Sequence, residues 1–408
     1  MTLHLTIIAL FAVSHVGYAD SIPLTLKEIG RRASENAALI QAQTKDLESA
    51  QLEADGAGLL SNPAFSLQMG SLTSGTSTGL TAEGFLSQTI PFPGKLKSQR
   101  YLKEVDVKLT KASLDQAKTF IQHQAVLLGF QWQVLDAHLQ HFQERKKRFG
   151  EVREYFKTHP QLSPATRVDA QMIEMQILLV EKRYTEMEAG RRVVERQLQY
   201  YLQSSDTVRP VVEWVDSNRV SIEALRKAVS LEDSPELIKK RLDIEMAKNS
   251  VDHNRLKALP DFTLGVGYRN EAVSPSNHFY YGSLGLTIPL FDRGQYATPA
   301  AEAKLNAETA REGMLRGKLN SEIESALIEL ESAKAITLSL PLKKTEALDS
   351  QFEQVSREFR KGRITTTAFL QADAQFHEVT DSIYNAQLNL AQSLSRLKVL
   401  VGQPLSWE

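Results

Sequence analysis

The sequence contains no cysteine. That excludes disulfides, thiolate metal sites, a cysteine nucleophile and the acylated N-terminal cysteine of a bacterial lipoprotein. It has no surplus of either charge, with 48 Lys and Arg against 49 Asp and Glu in 408 residues, so nothing argues for nucleic-acid binding or an acidic disordered tail. Aromatic residues make up 7%, few for a large globular core. A Gly-rich phosphate loop, a His-Glu-x-x-His pair and a Gly-x-Ser-x-Gly elbow are all missing, so the chain is not expected to be an enzyme or to hold a cofactor. His138 and His141 lie one helical turn apart, as two metal ligands could. No third ligand is evident nearby, and the pair reads as a solvated helix face. After Asp20 no stretch approaches ~18 consecutive apolar residues, which excludes a membrane-crossing helix there.

What is present begins with an apolar run, Leu5 to Val13, followed by Gly17-Tyr18-Ala19 and then the first charge, Asp20. This reads as an export signal over residues 1–19, with the mature chain starting at about Asp20. Export without a membrane helix leaves the periplasm, the exterior, or an outer membrane crossed by β-strands.

The rest reads as one unit written twice. Asn62-Pro63-Ala64-Phe65 has a counterpart in Leu259-Pro260-Asp261-Phe262, and the segment around Pro91 has one around Pro289, at offsets of 197 and 198 residues. Leu39-Ile40 matches Leu237-Ile238 at the same offset of 198. An internal duplication explains these registers, with a first copy at 20–208 and a second at 209–408. In each copy, short alternating stretches come first. Phe65, Leu67 and Met69 alternate with small or polar residues, as do Phe262, Leu264, Val266 and Tyr268, and then Leu284, Leu286 and Ile288. Polar loops, Ser71 to Gly79 and Glu271 to His278, join hairpins at about 63–91 and 261–289. Phe279, Tyr280 and Tyr281 at one strand end fit an interfacial girdle or ordinary edge aromatics.

Helical spacing then takes over. Helices are expected at about 24–60, 95–158 and 165–203 in the first copy and 219–258, 295–361 and 364–402 in the second. Phe376, Val379, Ile383, Ala386, Leu390, Leu394, Leu397 and Val401 form a near-heptad seam, as do Ile323, Ala326, Leu330 and Ala333, and Val168, Met172, Met175 and Leu179. No proline occurs from Leu96 to Thr158, so a helix of ~60 residues could rise ~90 Å. Pro341 is placed to kink its counterpart. Pro91, Pro93 and Gly94 in one copy, and Pro289 and Gly294 in the other, are the turn chemistry needed to end a strand and start a helix within a few residues. Four strands cannot close a barrel, and an open sheet edge in lipid strands its backbone groups. If the strands are in a membrane, several chains must complete the barrel.

Over Leu24 to Gly402 this order resembles the TolC family of outer-membrane efflux proteins. The resemblance is carried by Gln88-Thr89-Ile90-Pro91-Phe92-Pro93-Gly94-Lys95, by Leu286-Thr287-Ile288-Pro289-Leu290-Phe291-Asp292-Arg293-Gly294, by the stretch from Gly362-Arg363-Ile364-Thr365 to Gln371-Ala372, and by the terminal Leu397 to Gly402. It implies an α+β, TolC-like fold: long antiparallel helices forming a tunnel into the periplasm, and four transmembrane strands per chain in a 12-stranded barrel shared by a homotrimer in outer-membrane lipid. It also implies a periplasmic adaptor and an inner-membrane pump of the RND type as partners. Both turn strings look most similar to the heavy-metal efflux branch. Multidrug export, type I protein secretion and a soluble coiled-coil scaffold are the competing readings.

In the family the helix-hairpin tips narrow the tunnel, in some members with aspartates, and dock the adaptor. The matching stretches are Leu162 to Ala170 and Gly362 to Ala372. Where two gate aspartates would be expected, the second copy has Ala368 and Gln371. Asp169 occupies the matching place in the first copy, and Asp373 lies just beyond. Asp169, Gln371, Asp373 and Arg363 are therefore the candidate tip residues. A carboxylate repeated by threefold symmetry in a narrow pore would attract cations, whereas on an outer helix face it would only be solvated.

Overall fold

The protein, seen here in a computed structural model, is described at residues 22–74, 77–158, 164–272 and 276–405. The expected export signal lies outside these residues, as do parts of both hairpin loops and of the turn holding Pro160. In chain order the elements are β1 (Ile22–Thr25), α1 (Leu26–Asn36), α2 (Ala38–Gly56), β2 (Ala64–Ser74), β3 (Ser77–Ile90), α3 (Lys95–Thr158), α4 (Pro164–Leu202), β4 (Val208–Val211), α5 (Ile222–Ala228), α6 (Pro235–Lys257), β5 (Asp261–Ala272), β6 (Asn277–Thr287), α7 (Ala297–Ser339), α8 (Lys344–Arg360) and α9 (Thr366–Leu400).

The helix expected from residue 24 starts two residues later, because Ile22 to Thr25 pair in parallel with Val208 to Val211. Thr25 then caps α1. Its hydroxyl accepts from the Glu28 N–H at 3.3 Å while the Glu28 carboxylate accepts from the Thr25 N–H at 3.0 Å, satisfying two otherwise orphaned donors. Ala37, extended at φ −55° and ψ 136°, divides the segment into α1 and α2. The helix expected over 219–258 is likewise two helices, α5 and α6, joined through a 3₁₀ turn at Leu231–Asp233. The one expected over 295–361 is broken at Pro341, whose ring cannot continue α7.

The proline-free α3 runs unbroken for 64 residues, about 96 Å at 1.5 Å per residue, and is the spine of the chain. Near the sheet it packs against α2 and α6; farther away it packs against α4 and α9, and α7 lines up beyond α6 and α9. Two cores hold this layer together. The larger, which includes Leu24 and Val208 of the β1–β4 pair, gathers Ile29, Phe130, Leu198, Leu330, Leu390 and Leu397. The other, toward the far tip, is built largely of phenylalanine: Phe142, Phe149 and Phe156 on α3, Phe352 and Phe359 on α8, and Phe369 and Phe376 on α9, each seven residues from the next on its helix. Seven of the 16 phenylalanines thus lie on heptad positions of three helices. The low aromatic content conceals this concentration.

The seams expected on α7 and α9 are buried, with one change: Val379 is partly exposed and Thr380 takes its place inside. The seam expected on α4 is corrected. Val168, Met175 and Leu179 are exposed, and α4 packs on its own chain through Ile173, Ile177, Val180, Val194 and Leu198 instead.

The four long strands form one antiparallel sheet in the order β2-β3-β5-β6, so the two hairpins join through β3 and β5, and β2 and β6 are left as edges. No helix among the described residues is long and apolar enough to cross a membrane.

Candidate functional site

The sheet has two unlike faces. On one stand Phe65, Leu67 and Met69 of β2, Leu80 and Leu86 of β3, Phe262, Leu264 and Val266 of β5, and Leu284 and Leu286 of β6, all solvent-exposed in the single chain. On the other are Ser66 and Gln68, Thr81, Glu83, Phe85 and Ser87, then Thr263, Gly265, Gly267 and Arg269, and Tyr281, Ser283 and Gly285. An uncovered apolar face of this extent on a sheet needs a nonaqueous partner, and the alternation is that of a barrel wall with lipid outside and water inside. The aromatic triplet is split by the pleat. Tyr280 lies on the apolar face, its ring tilted 42° to that of Tyr268 with centroids 5.0 Å apart, while Phe279 and Tyr281 point to the polar side. The apolar face therefore carries Tyr268 and Tyr280 at its loop end, rather than three consecutive residues.

Below the sheet, the turn residues do what their chemistry suggests. Gly94 (φ 97°) and Gly294 (φ 72°) adopt the left-handed conformation that costs glycine nothing, each a few residues after the proline that ends its strand. The first turn is also fastened across the repeat. Lys95 Nζ donates to Asp261 Oδ1 at 2.8 Å and to the Leu259 carbonyl at 2.6 Å, and the Phe92 N–H donates to Asp261 Oδ1 at 2.8 Å.

At the far end the candidate tip residues separate. Asp169, on an early turn of α4, is half-buried, and Gln371 is exposed on α9. Arg363, exposed beside the start of α9, is paired with Glu358 at 2.9 Å. Asp373 is corrected: it is fully buried and so cannot face a pore or bulk water from this position. Arg145 of α3 reaches it through both Nε (3.1 Å) and a second, closer guanidinium nitrogen, while His377 Nε2 donates to its Oδ1 at 2.9 Å. His141 and His138 are corrected with it, for both are buried. His141 Nε2 stands 2.5 Å from His377 Nδ1, and His138 Nδ1 lies 3.0 Å from Asp381 Oδ1.

Because the Asp373 carboxylate takes the His377 Nε2–H, the other His377 nitrogen is the acceptor and His141 must donate to it. The result is a continuous chain from α3 to α9 and back: His141, His377, Asp373, Arg145. Burial pushes the His141 imidazole down to about 3, helped by its closeness to His377 and by the positive charge of Arg148. Burial also lowers His377, outweighing the attraction of Asp373. Burial would raise Asp373, but His377 and Arg145 hold it below the usual carboxylate range. Sequence reading missed this network, although the signal was there. Asp373, His377 and Asp381 are spaced four apart, and His138, His141 and Arg145 three and four apart, the same periodicity as the apolar seams they interrupt.

Comparison with known proteins places these parts together. Residues 228–403 match the sequence profile described as outer membrane efflux protein. No curated protein matches the chain by sequence. Among solved structures, one of CusC is similar with a TM-score of 0.75 at 14% identity, covering 93% of this chain and 92% of that one. The CmeC outer membrane channel of Campylobacter jejuni gives 0.73 at 13%, covering 92% and 85%. The open state of the MtrE outer membrane channel of Neisseria gonorrhoeae gives 0.73 at 15%, covering 94% and 90%. The chain has the TolC-like fold of outer membrane efflux proteins.

The matched profile runs from the end of α5 through α9. The chain before it holds a hairpin (β2, β3), the long helix α3 and the shorter returning helix α4. The layer has flanks at α4, which packs chiefly on α3, and at α7, which packs chiefly on α6 and α9. The exposed heptad positions of α4 lie along one of those flanks.

Proposed function

We propose that three copies of the protein form an exit duct in the outer membrane, with a 12-stranded barrel continued by a helical tunnel into the periplasm. The observation that carries this reading is the sheet: one face is largely apolar, with Gln88, Asn270 and His278 among its few polar positions, both edges are unpaired, and four strands are too few to close. In lipid each unpaired edge group would cost several kcal/mol, and threefold closure pairs β2 of one copy with β6 of the next. The exposed apolar positions of α4 support the same closure lower down, where a neighbouring copy would cover them. The duct is passive: it carries no energy-using machinery of its own and receives cargo from a periplasmic adaptor and an inner-membrane pump of the RND type. The cargo we favour is heavy-metal cations, because both strand-to-helix turn strings resemble that branch most. A conducting tunnel requires no resident ligand set, and the described residues include no group of three or more His, Asp or Glu arranged to hold a metal. Asp169 is the carboxylate placed to tune cation passage at the tip.

Fractionation with native mass measurement tests the reading. The protein should stay with the outer membrane after salt and carbonate washing and leave it in detergent as a trimer. Release by washing would instead favour a soluble coiled-coil scaffold. A deletion strain that becomes sensitive to dyes and detergents but not to metal salts would replace metal export with multidrug export.

A further inference from the structure

The polar side of β5 carries glycine at two successive inward positions, Gly265 and Gly267, and each is covered by a ring from a neighbouring strand. Phe85 of β3 and Tyr281 of β6 sit directly across from Gly267 on either side. Their rings are nearly parallel, at 13° with centroids 6.0 Å apart. A Cβ built on Gly267 would stand 2.7 Å from Tyr281 Cε1, and one on Gly265 2.8 Å from Phe85 Cε2, well inside the ~3.5–4.0 Å at which carbon atoms attract. The rings can lie flat only because the backbone beneath them is bare. Tyr281 is also tethered. Its hydroxyl donates to one oxygen of Glu83, and the other oxygen accepts from Arg269 Nε at 2.9 Å and a second guanidinium nitrogen at 2.7 Å.

We propose that Gly265 and Gly267 set the bore of the barrel by letting Phe85 and Tyr281 lie against its wall, with Glu83 and Arg269 pinning the Tyr281 ring, so that bulky cargo passes this level. The inference rests on the channel reading above. In a threefold barrel the arrangement recurs three times at one height, so a ring forced upright would intrude from three sides. A tyrosine on a strand face ordinarily stands away from the sheet, and here the glycine bed and the carboxylate tether together hold it down.

The absence of cysteine makes a clean test available. Thr263→Cys places a thiol on the same face, nearer the helices and therefore deeper than the rings from outside. Maleimides of graded size are added to intact cells and labelling rates compared. Adding Gly267→Ala should slow labelling by the bulkiest reagent at least about tenfold, the effect of roughly 1.4 kcal/mol of extra barrier, while the smallest reagent reacts unchanged and so reports an intact barrel. Gly267→Ala with Tyr281→Ala should restore the bulky reagent's rate. An unchanged bulky rate in the single variant, or no recovery in the double one, overturns the inference. Failure of even the smallest reagent to reach Thr263→Cys in the otherwise unaltered chain would instead bring down the channel reading, and this inference with it.

Discussion

His141 shows how much a single residue's meaning depends on what faces it. Packed between helices with a second imidazole 2.5 Å away, it is held neutral, and protonating it would place a charge beside His377 and Arg145 in a site with little water. Its imidazole is pushed down to about 3, by burial first, whereas in an unfolded chain it would titrate near ~6.5. Between those values the unfolded state holds the extra proton, so stability is complete above pH ~6.5 and falls as pH drops, by up to about 1.4 kcal/mol per pH unit. His377, also lowered, acts in the same direction. Asp373, held below the carboxylate range by His377 and Arg145 against the effect of burial, adds a further loss only below about pH 4. His141→Phe should therefore flatten the dependence of thermal unfolding on pH between 6.5 and 4 while leaving the steeper loss at lower pH. A variant with the unaltered slope would show that His141 does not carry it. The buried Arg145–Asp373 pair is itself weak evidence for stability; it ties α3 to α9 within a core otherwise built largely of phenylalanine.

At the scale of the element, α4 has two stripes of apolar residues and its own chain uses only one. Ile173, Ile177 and Val180 meet the α3 side, and Val168, Met175 and Leu179 remain in solvent. Both stripes have heptad spacing, and neither pattern says which partner it serves. If a neighbouring copy covers the second stripe, Met175→Glu with Leu179→Glu should convert detergent-extracted trimer to monomer while helix content, read by circular dichroism, stays within error. Intact trimer in that variant would free the stripe for another partner. Elsewhere breaks in the chain were harder to foresee than its helices. Pro341 stops α7 where proline chemistry says it should, whereas Ala37 divides α1 from α2 with no proline or glycine at the junction. The reason there is tertiary, since Ala37 and Ala33 are both buried in the larger core.

For the whole molecule, the hairpin loops should face the exterior, since both are polar and lie at the sheet end opposite the helices. A tag inserted at Ser74 or Ser276 should be labelled on intact cells; labelling that appears only after the outer membrane is permeabilised would invert the orientation. The same geometry puts the helical tip about a full α3 length from the sheet, so the buried histidine network lies far from the sheet and nearer the tip.

The duplicated turn strings, the two hairpins, the unbroken length of α3 and the uncovered apolar strand face are all consequences of local rules: proline ends a ladder, glycine takes positive φ, alternation follows the pleat, and a 64-residue helix forms where nothing interrupts it. The sequence by itself determined these. It did not determine which face of a helix or pair of strands a charged or aromatic residue would meet, because that depends on partners hundreds of residues away. Asp373, read as a tip carboxylate, became a buried ion only once Arg145 lay opposite it, 228 positions earlier in the chain. His138 and His141 lost their solvent in the same way. Glu83, Arg269 and Tyr281 became one cluster only when β3, β5 and β6 aligned. Periodicity fixes the spacing of side chains along one element; only packing fixes what stands across from them.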